Sequence, residues 1–235
     1  MSSIEPLRGM GAGVFRVPTA QETTQTEIHW IPLEIIFPSK FAAKRVFDLV
    51  FATFILVLAA PLFLLIIAAI RLTSRGPAFF VQRRIGYRCA EFDMFKFRTM
   101  VDGAQTLEPQ LATADSAFFK LQRDPRITSV GQLLRRFSLD ELPQLFNVLN
   151  GSMSLVGPRP LLLSDLAKFS RRKQMRRFSV KPGMTGLWQV SGRSKCTDNE
   201  RLELDRQYVN GWRLRLDLKI LLQTVRVVLT GEGAS

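Results

Sequence analysis

The most prominent pattern in the chain is an uninterrupted apolar run at residues 49–70, which reads LVFATFILVLAAPLFLLIIAAI and contains no charged side chain. About 20 apolar residues are enough to span a bilayer as a helix. More than forty residues precede the run, which argues against a cleaved signal peptide. The run is therefore predicted to be a membrane segment rather than the buried core helix of a soluble domain.

Two features of this run favour a hairpin that enters and leaves the membrane on one face over a straight, kinked span. Pro61 lies near its middle, where it removes a backbone hydrogen bond and bends a helix. Lysine and arginine, which prefer the cytoplasmic side, flank both ends. The flanking cations are Lys40, Lys44 and Arg45 before the run and Arg71, Arg75, Arg83, Arg84 and Arg88 after it. We predict a re-entrant helix–break–helix hairpin over residues 44–72, with Pro61 at the break.

The hydrophobic pattern after this segment predicts a mixed α/β, helix-rich domain. Residues 75–86 and 91–100 alternate apolar and polar positions and are rich in aromatic side chains, as strands are. Residues 128–137 and 141–151 are predicted as two short helices, the second ending at an Asn-Gly pair. Residues 181–193 contain three glycines and a proline, so we predict a loop with a short extended piece.

The two ends of the chain differ in character. Residues 1–39 are rich in small and polar side chains without a sustained period, which predicts a flexible tail. Residues 212–229 predict an amphipathic helix, whose usual fate is packing on the core. The alternative is that this helix lies in the membrane interface. We predict that residues 40–235 form one domain, with residues 73–235 as its cytoplasmic part.

The charge of the chain indicates an anionic partner. Lysine and arginine number 33 against 20 acidic residues, for a formal net charge of +13. Residues 168–181 alone hold seven cations and no acid, as expected either for a solvated helix face or for a surface lying on anionic lipid. Nucleic acid ranks lowest among the candidate partners, because no nucleic-acid-binding signature accompanies the charge.

Cysteine and histidine usage narrows the possible chemistry. Cys89 and Cys196 lie far apart without CxxC spacing, which fits a reducing compartment and argues against a disulfide framework or a zinc cluster. The single histidine, His29, lies in the predicted tail. Acid–base or nucleophilic work therefore falls to carboxylates, lysine, serine or cysteine.

Residues 138–144, SLDELPQ, allow a structural and a catalytic interpretation that the residues alone leave evenly balanced. Ser138 and Glu141 match the S-x-x-E capping box. A helix starting there would put Pro143 at its fifth position, where the missing N–H breaks a bond, whereas a start at Asp140 puts Pro143 in the first turn. Asp140 and Glu141 would then sit in positive potential that keeps both ionised. A nucleophile, or a pair that holds Mg²⁺ on a diphosphate, requires that state.

Cations at turns and element ends supply the other half of a possible phosphate site. Arginine forks suit phosphate oxygens bidentately. Any one of these cations alone is more often part of a surface ion pair, but together they favour phosphate binding. The candidates are Lys96, Arg98, Arg135, Arg136, Arg159 and Arg193.

The order of the motifs is familiar. The proline-containing apolar run is followed by KFRTM, LLRRFSLDELPQLFNVLNG, MSLVGPRP and PGMTGLWQVSGR. Together they resemble the bacterial sugar transferases, the monotopic polyprenyl-phosphate hexose-1-phosphate (phosphoglycosyl) transferases. The likeness covers residues 44–229, and the chain resembles the short form, without the four N-terminal membrane spans of longer members. Where the family breaks its hairpin at a Ser-Pro pair, this chain has Ala60-Pro61.

The resemblance implies a reaction. Such enzymes move a sugar-1-phosphate from a UDP-sugar to a polyprenyl phosphate, typically undecaprenyl phosphate, and release UMP. This is the first membrane step in assembling an exopolysaccharide or another surface glycan. The resemblance also implies a location at the bacterial inner membrane, with the catalytic part on its cytoplasmic face.

The resemblance also implies roles for individual residues. Asp140 would be the nucleophile that forms an aspartyl-phosphosugar intermediate. Glu141 would hold the required Mg²⁺ together with Asp140, or position groups around it. The implied substrate and phosphate binders are Lys96, Arg98, Arg135, Arg159, Gln189 and Arg193.

Other functions remain open at this point. A non-catalytic membrane-surface adaptor could bind anionic lipid through the hairpin and residues 168–181. A membrane-associated nucleic-acid binder is the third class. The sequence identifies neither the sugar that would be transferred nor the oligomeric state, and a homo-oligomer is possible.

Overall fold

The computed structural model describes four stretches of the chain, residues 38–104, 124–166, 175–192 and 196–230. Three sequence predictions fall wholly or mostly outside them. These are the tail at residues 1–39 except its last two positions, the cationic run at residues 168–181 up to residue 174, and Arg193.

The described stretches contain seven helices and four short strands. In chain order they are α1 (Pro38–Thr73), β1 (Phe79–Ile85), β2 (Glu91–Phe97), α2 (Ser129–Arg136), α3 (Gln144–Asn150), β3 (Ser154–Val156), α4 (Leu163–Leu166), β4 (Gly183–Thr185), α5 (Leu187–Ser191), α6 (Asp198–Gly211) and α7 (Leu214–Thr230). Single 3₁₀ turns cover Tyr87–Cys89, Leu139–Glu141 and Arg176–Ser179. The prediction of a mixed, helix-rich α/β fold is confirmed.

The apolar run lies in α1, whose portion Phe41–Thr73 is long and apolar enough to cross a membrane. Its outward side chains include several large apolar groups that are 59–72% exposed: Val50, Phe54, Val57, Leu58, Leu64 and Leu65. The helix runs through Pro61 without interruption. The predicted division into two arms with a break between them is therefore not confirmed.

Both halves of α1 contact the rest of the protein. Before Pro61, the Arg45 guanidinium donates hydrogen bonds to the carbonyl oxygens of Val148 and Leu149 at 2.6 and 2.9 Å. These carbonyls lie in the last turn of α3, where few backbone donors remain; that of Val148 also accepts the N–H of the capping Gly151 at 3.1 Å. After Pro61, α1 contributes Phe63, Ile66 and Ile70 to a buried cluster with Ala78, Phe97 and Leu134.

The two predicted extended segments form one antiparallel hairpin. Its register runs from Phe79 opposite Phe97 to Ile85 opposite Glu91. Side chains directly opposite each other share a face of the hairpin, and so does every second side chain along a strand. By this register Arg84 and Lys96 project from the same face.

A second, parallel pair joins β3 to β4, with Ser154 opposite Gly183 and Val156 opposite Thr185. Residues 181–193 were predicted as a loop, and that prediction is wrong for α5 at Leu187–Ser191. Gly186 in extended backbone precedes this short helix and Gly192 follows it, so the glycines that suggested a loop are its boundaries.

The last two helices complete the main core. α6 begins with a capping box, in which Thr197 and Glu200 each accept the other's backbone N–H. α7 buries Asp217 and Ile220 completely, so the prediction that this helix packs on the core is confirmed for one face. Its other face leaves four large apolar side chains exposed: Leu214, Leu218, Leu222 and Val225.

One buried polar network joins α1, α6 and α7. The Asp217 carboxylate accepts hydrogen bonds from Lys44 Nζ at 2.7 Å, Trp212 Nε1 at 3.0 Å and the Tyr208 hydroxyl at 2.8 Å. The Tyr208 hydroxyl also lies 2.9 Å from the carbonyl oxygen of Val156 in β3. Among the residues that the structure describes, the next nearest carboxylate to Lys44 Nζ is that of Asp48, at 3.8 Å.

We expect Asp217→Ala to lower the free energy of unfolding by about 3–5 kcal/mol, because it leaves the buried Lys44 ammonium with only the more distant Asp48 carboxylate. Thermal unfolding of the detergent-solubilised protein measures this. Glu203→Ala is the control, since it breaks the exposed α6 pair with Arg206 and should cost about 0–1 kcal/mol. Equal losses for the two variants would contradict the structural role of the network.

Candidate active site

The segment SLDELPQ does not form a capped helix. Ser138 adopts a left-handed conformation (φ 54°, ψ 23°), and its side chain makes no capping hydrogen bond, so the capping-box interpretation is wrong. The predicted helix start at Asp140 is also wrong, since α3 begins only at Gln144, directly after Pro143. Proline has no N–H to give to a preceding turn, and its fixed φ of −62° suits the position before a first helical turn. Asp140 and Glu141 instead lie on the 3₁₀ turn ahead of α3.

Helix α2 brings Arg135 to this turn. Thr128 caps α2 by accepting the backbone N–H of Gly131 at 3.0 Å. A Cβ at Gly131 would collide with the backbone of Thr99, so only glycine lets α2 approach the chain after β2 this closely. The Arg135 Nε then donates to the Thr99 hydroxyl at 2.9 Å, which holds its guanidinium beside the acidic turn.

Glu141 forms the centre of the cationic cluster. One of its oxygens, Oε1, accepts from Lys96 Nζ at 3.3 Å and from the Arg159 guanidinium at 3.0 Å. Lys96 comes from β2, and Arg159 from the connection that follows β3. The three side chains are only 15–32% exposed, so solvent screens these contacts incompletely. The structure thus joins side chains that are 45 and 18 residues apart in the chain.

Asp140 has different surroundings. Within the described ranges its carboxylate has no hydrogen bond and no ion pair within 4.0 Å. Burial raises the pKa of Asp140, although the nearby charges of Lys96, Arg135 and Arg159 oppose this.

The pKa of Glu141 moves in the opposite direction. Burial alone would raise it, but Arg159 and Lys96 together hold the pKa of the Glu141 carboxyl at about 2. The prediction that positive surroundings favour the ionised form of both acids is confirmed for Glu141. For Asp140 the direction is opposite, because burial outweighs the neighbouring cations.

Arg84 is a member of this cluster that the sequence prediction missed. Burial lowers the pKa of Arg84 to about 10, and the positive charge of Arg159 adds to the effect. Its guanidinium donates to Gln82 Oε1 at 2.6 and 3.1 Å, and the charge of Glu141 also acts on it. The alternation of side chains along β1 and β2 could have identified Arg84, because it places Arg84 on the same face of the hairpin as Lys96.

Two predicted binders are not brought to this cluster, and a third is not described. The Arg98 guanidinium donates to the carbonyl oxygens of Ser74 and Arg75 and to the Ser74 hydroxyl, so it fastens the chain just after α1. Gln189 in α5 donates to the carbonyl oxygen of Met184 at 3.0 Å. Arg193 lies outside the described residues.

The donor set fits a magnesium ion only in part. No group of three or more histidine, cysteine or acidic side chains suited to a metal occurs in the described stretches. The Glu141 carboxylate is already engaged by Lys96 and Arg159, whereas the oxygens of Asp140 accept no hydrogen bond. Mg²⁺ commonly takes one or two carboxylates and completes its shell with water and substrate phosphate. Asp140 therefore suits a single-carboxylate site, whereas Oε1 of Glu141 is already occupied by Lys96 and Arg159.

The chain is similar to known proteins over most of its length. Residues 39–231 match the family model described as bacterial sugar transferase. The exopolysaccharide production protein ExoY of Rhizobium meliloti is 43% identical over 199 residues, which cover 82% of this chain and 88% of that protein.

Two longer relatives have the same identity over only part of their length. The galactosyl transferase CpsE of Streptococcus agalactiae is 43% identical over 200 residues, 83% of this chain and 44% of that protein. The undecaprenyl-phosphate galactose phosphotransferase of Salmonella typhimurium is 43% identical over 198 residues, 81% of this chain and 41% of that protein. The chain thus spans less than half of these two proteins.

We expect Glu141→Gln to lower the free energy of unfolding at neutral pH by about 1–3 kcal/mol, because two buried cations lose their shared counter-charge. The depressed pKa of Glu141 gives this contribution a definite pH dependence. It is complete above the unfolded-state pKa, about 4.3, and is lost as the pH falls towards the folded value of about 2.

Thermal unfolding of wild type and variant between pH 7 and pH 3 checks this. Their difference should shrink towards the acid end. Glu91→Gln, which breaks the exposed pair with Arg83, is the control and should have little effect throughout. A Glu141→Gln loss that grew with acidity would contradict the salt-bridge assignment.

Proposed function

Because the chain belongs to the bacterial sugar transferase family, we propose that it transfers a sugar-1-phosphate from a UDP-sugar to a polyprenyl phosphate, such as undecaprenyl phosphate. The transfer would begin the assembly of an exopolysaccharide or another surface glycan. One observation carries the proposal: the half-buried Asp140 carboxylate, unpaired within the described residues, lies amid Lys96, Arg135 and Arg159. The similarity to the undecaprenyl-phosphate galactose phosphotransferase of Salmonella typhimurium supports the reaction class.

Asp140 would carry the chemistry in two displacements. First, a carboxylate oxygen attacks the phosphorus that bears the sugar, the bond from that phosphorus to the bridging oxygen breaks, and UMP leaves. Second, an oxygen of the polyprenyl phosphate attacks the same phosphorus and releases Asp140 as a free carboxylate. Neither nucleophile needs to lose a proton at neutral pH when it is already ionised, so the reaction requires no histidine base. Burial, which raises the pKa of Asp140, also makes its ionised form more basic and less hydrated.

The cations would stabilise charge on the phosphoryl groups. Arg159, Lys96 and Arg135 surround the carboxylate that attacks, so they lie where the diphosphate must bind. Glu141 would act by holding Lys96 and Arg159 in fixed positions rather than by touching the substrate. Preorganised cations need no rearrangement as the leaving group gains charge.

Magnesium would assist the same charge neutralisation. When bound, Mg²⁺ would offset the negative charge of the diphosphate, held by an Asp140 oxygen and by oxygens of the substrate. The chain's own contribution is the single carboxylate and the cations around it.

We further propose that α1 bends at Pro61 and returns to the cytoplasmic face of the inner membrane, where the catalytic part lies. Arg45 and Phe63 are 18 residues apart, about 27 Å along a straight helix. Yet they contact Val148 and Phe146, which are two residues apart in α3. The exposed apolar side chains of α1 and of α7 would face lipid, close to a lipid-borne acceptor.

Purified protein in detergent, supplied with Mg²⁺, undecaprenyl phosphate and a panel of UDP-sugars, should release UMP with at least one sugar. Asp140→Asn should reduce the rate on the order of a thousand-fold or more, because an amide cannot act as the nucleophile. Acid-quenched wild type given labelled UDP-sugar alone should carry labelled phosphosugar, and the variant should not.

Asp93→Asn is the matched control, since Asp93 is an exposed carboxylate on β2, and it should retain the wild-type rate. Normal turnover by Asp140→Asn would refute the nucleophile assignment. A folded wild type that is inactive with every UDP-sugar would favour the membrane-surface adaptor.

The pH profile should respond to the cations around Asp140. Arg135 lowers the pKa of Asp140, so Arg135→Met should raise that pKa and leave more of the carboxylate protonated at a given acidic pH. The acid limb of kcat/KM should therefore move to higher pH. Arg136→Met is the control, because Arg136 ends the same helix but points away to solvent beside the Phe137 ring.

Measurement of kcat/KM from pH 5 to pH 8 for both variants checks this expectation. A limb that moves to lower pH in Arg135→Met, or by the same amount in both variants, would contradict it.

A further inference from the structure

The segment that carries Arg159 is fastened by its backbone on both sides. The Gly157 N–H donates to the carbonyl oxygen of Thr185 at 2.9 Å. The Leu161 N–H donates to the carbonyl oxygen of Ile85 at 3.2 Å, and Ile85 returns the bond at 2.8 Å. These bonds fix residues 157 and 161 but leave the carbonyl of Arg159 itself to another partner.

That partner is a side chain. The Arg177 guanidinium donates to the Arg159 carbonyl oxygen at 2.6 Å. The same terminal nitrogen of Arg177 lies 3.0 Å from Asp205 Oδ2, in the middle of α6. Both side chains are buried, at 6% and 3% exposure. A continuous chain of contacts therefore runs from α6 through Arg177 to the backbone of Arg159, and onward through its guanidinium to Glu141.

We propose that Arg177 and Asp205 are a positioning pair for the transfer reaction, and that they fix the backbone of Arg159 so that its guanidinium meets the diphosphate of the donor. This inference rests on the proposed function of the cluster. Neither member touches the reacting groups. They act through the hydrogen bond to the Arg159 carbonyl oxygen. The orientation of that carbonyl fixes the backbone from which the Arg159 side chain projects.

The energetics of the pair favour positioning over a purely stabilising role. Burial raises the pKa of Asp205 to about 6, although Arg177 opposes the shift. Folding therefore disfavours the ionised carboxylate, even though that form predominates at neutral pH. Buried ion pairs in general contribute little net stability, and their best-attested effect is to specify one geometry.

Arginine suits this role because of its shape. Its planar fork presents several N–H groups in fixed directions, so one terminal nitrogen can serve Asp205 and the Arg159 carbonyl together. A lysine at the same place would keep the charge without this fixed geometry. Arg177→Lys should thus keep the attraction to Asp205 and lose the carbonyl bond.

A double-mutant cycle between Asp205→Asn and Arg159→Met tests the proposal. In the wild-type background, Asp205→Asn should lower kcat/KM about 10-fold to 100-fold, the scale of loss expected when a catalytic group is misplaced by about 1 Å. In the Arg159→Met background the same substitution should change kcat/KM less than about twofold, because the group it positions is gone. Asp198→Asn is the control on the same helix, since its pair with Arg201 is exposed, and it should have no effect in either background.

Binding of UDP, measured by calorimetry on the same four proteins, gives a second readout that does not depend on turnover. Asp205→Asn should weaken UDP binding only where Arg159 is present. If Asp205→Asn does not fold, Arg177→Lys takes its place in the cycle and should give the same pattern.

Equal losses in both backgrounds, or no loss in either, would overturn the positioning role. The failure of the proposed function is a separate outcome, because it would appear as a wild type that binds UDP but transfers no sugar. In that event the UDP cycle still decides whether Arg177 and Asp205 position Arg159.

Discussion

The cationic cluster around Asp140 depends on one carboxylate. Glu141 accepts from Lys96 and Arg159 through a single oxygen, and so joins β2 to the connection after β3. Without that negative charge, two partly buried cations would repel each other beside Asp140. With it, the cluster keeps a surplus of positive charge in a fixed arrangement, which is what binding a diphosphate requires.

Charged side chains also hold α1 against the rest of the chain. Much of the surface of this helix is apolar and exposed, so hydrophobic packing alone cannot specify where it sits. Lys44 on Asp217, and Arg45 on the last carbonyls of α3, fix its position and rotation instead. Because α3 follows the acidic turn directly, these contacts also place the apolar helix relative to Asp140.

The sequence predicted the elements of the site better than their local geometry. The positions of cations at turns and element ends, and the motif order, led to Lys96 and Arg159, which the structure joins to Glu141. The capping motif was misleading at Ser138, while the same S/T-x-x-E pattern forms a true cap at Thr197. Local sequence could not separate the two, because Ser138 is held in a left-handed turn between α2 and the 3₁₀ turn. Position at an element end also did not indicate the contacts of Arg98, which follows the last residue of β2 and binds the chain just after α1.

Two adjacent acids with opposite pKa shifts provide a physical basis for dividing their roles. Glu141 has two cations within hydrogen-bond distance of its Oε1, which lower its pKa to about 2. Asp140 feels the same cations only at longer range, so burial dominates and its pKa rises. A carboxylate tied into salt bridges is a poor nucleophile, whereas one that is desolvated and unbridged can attack. The two pKa values differ because consecutive residues of the 3₁₀ turn project their side chains in different directions. Only the Glu141 side chain comes within hydrogen-bond distance of Lys96 Nζ and the Arg159 guanidinium. Adjacency in sequence thus brings both acids to the same cationic cluster, and the geometry of the 3₁₀ turn leaves the Asp140 carboxylate unbridged, as its proposed role of nucleophile requires.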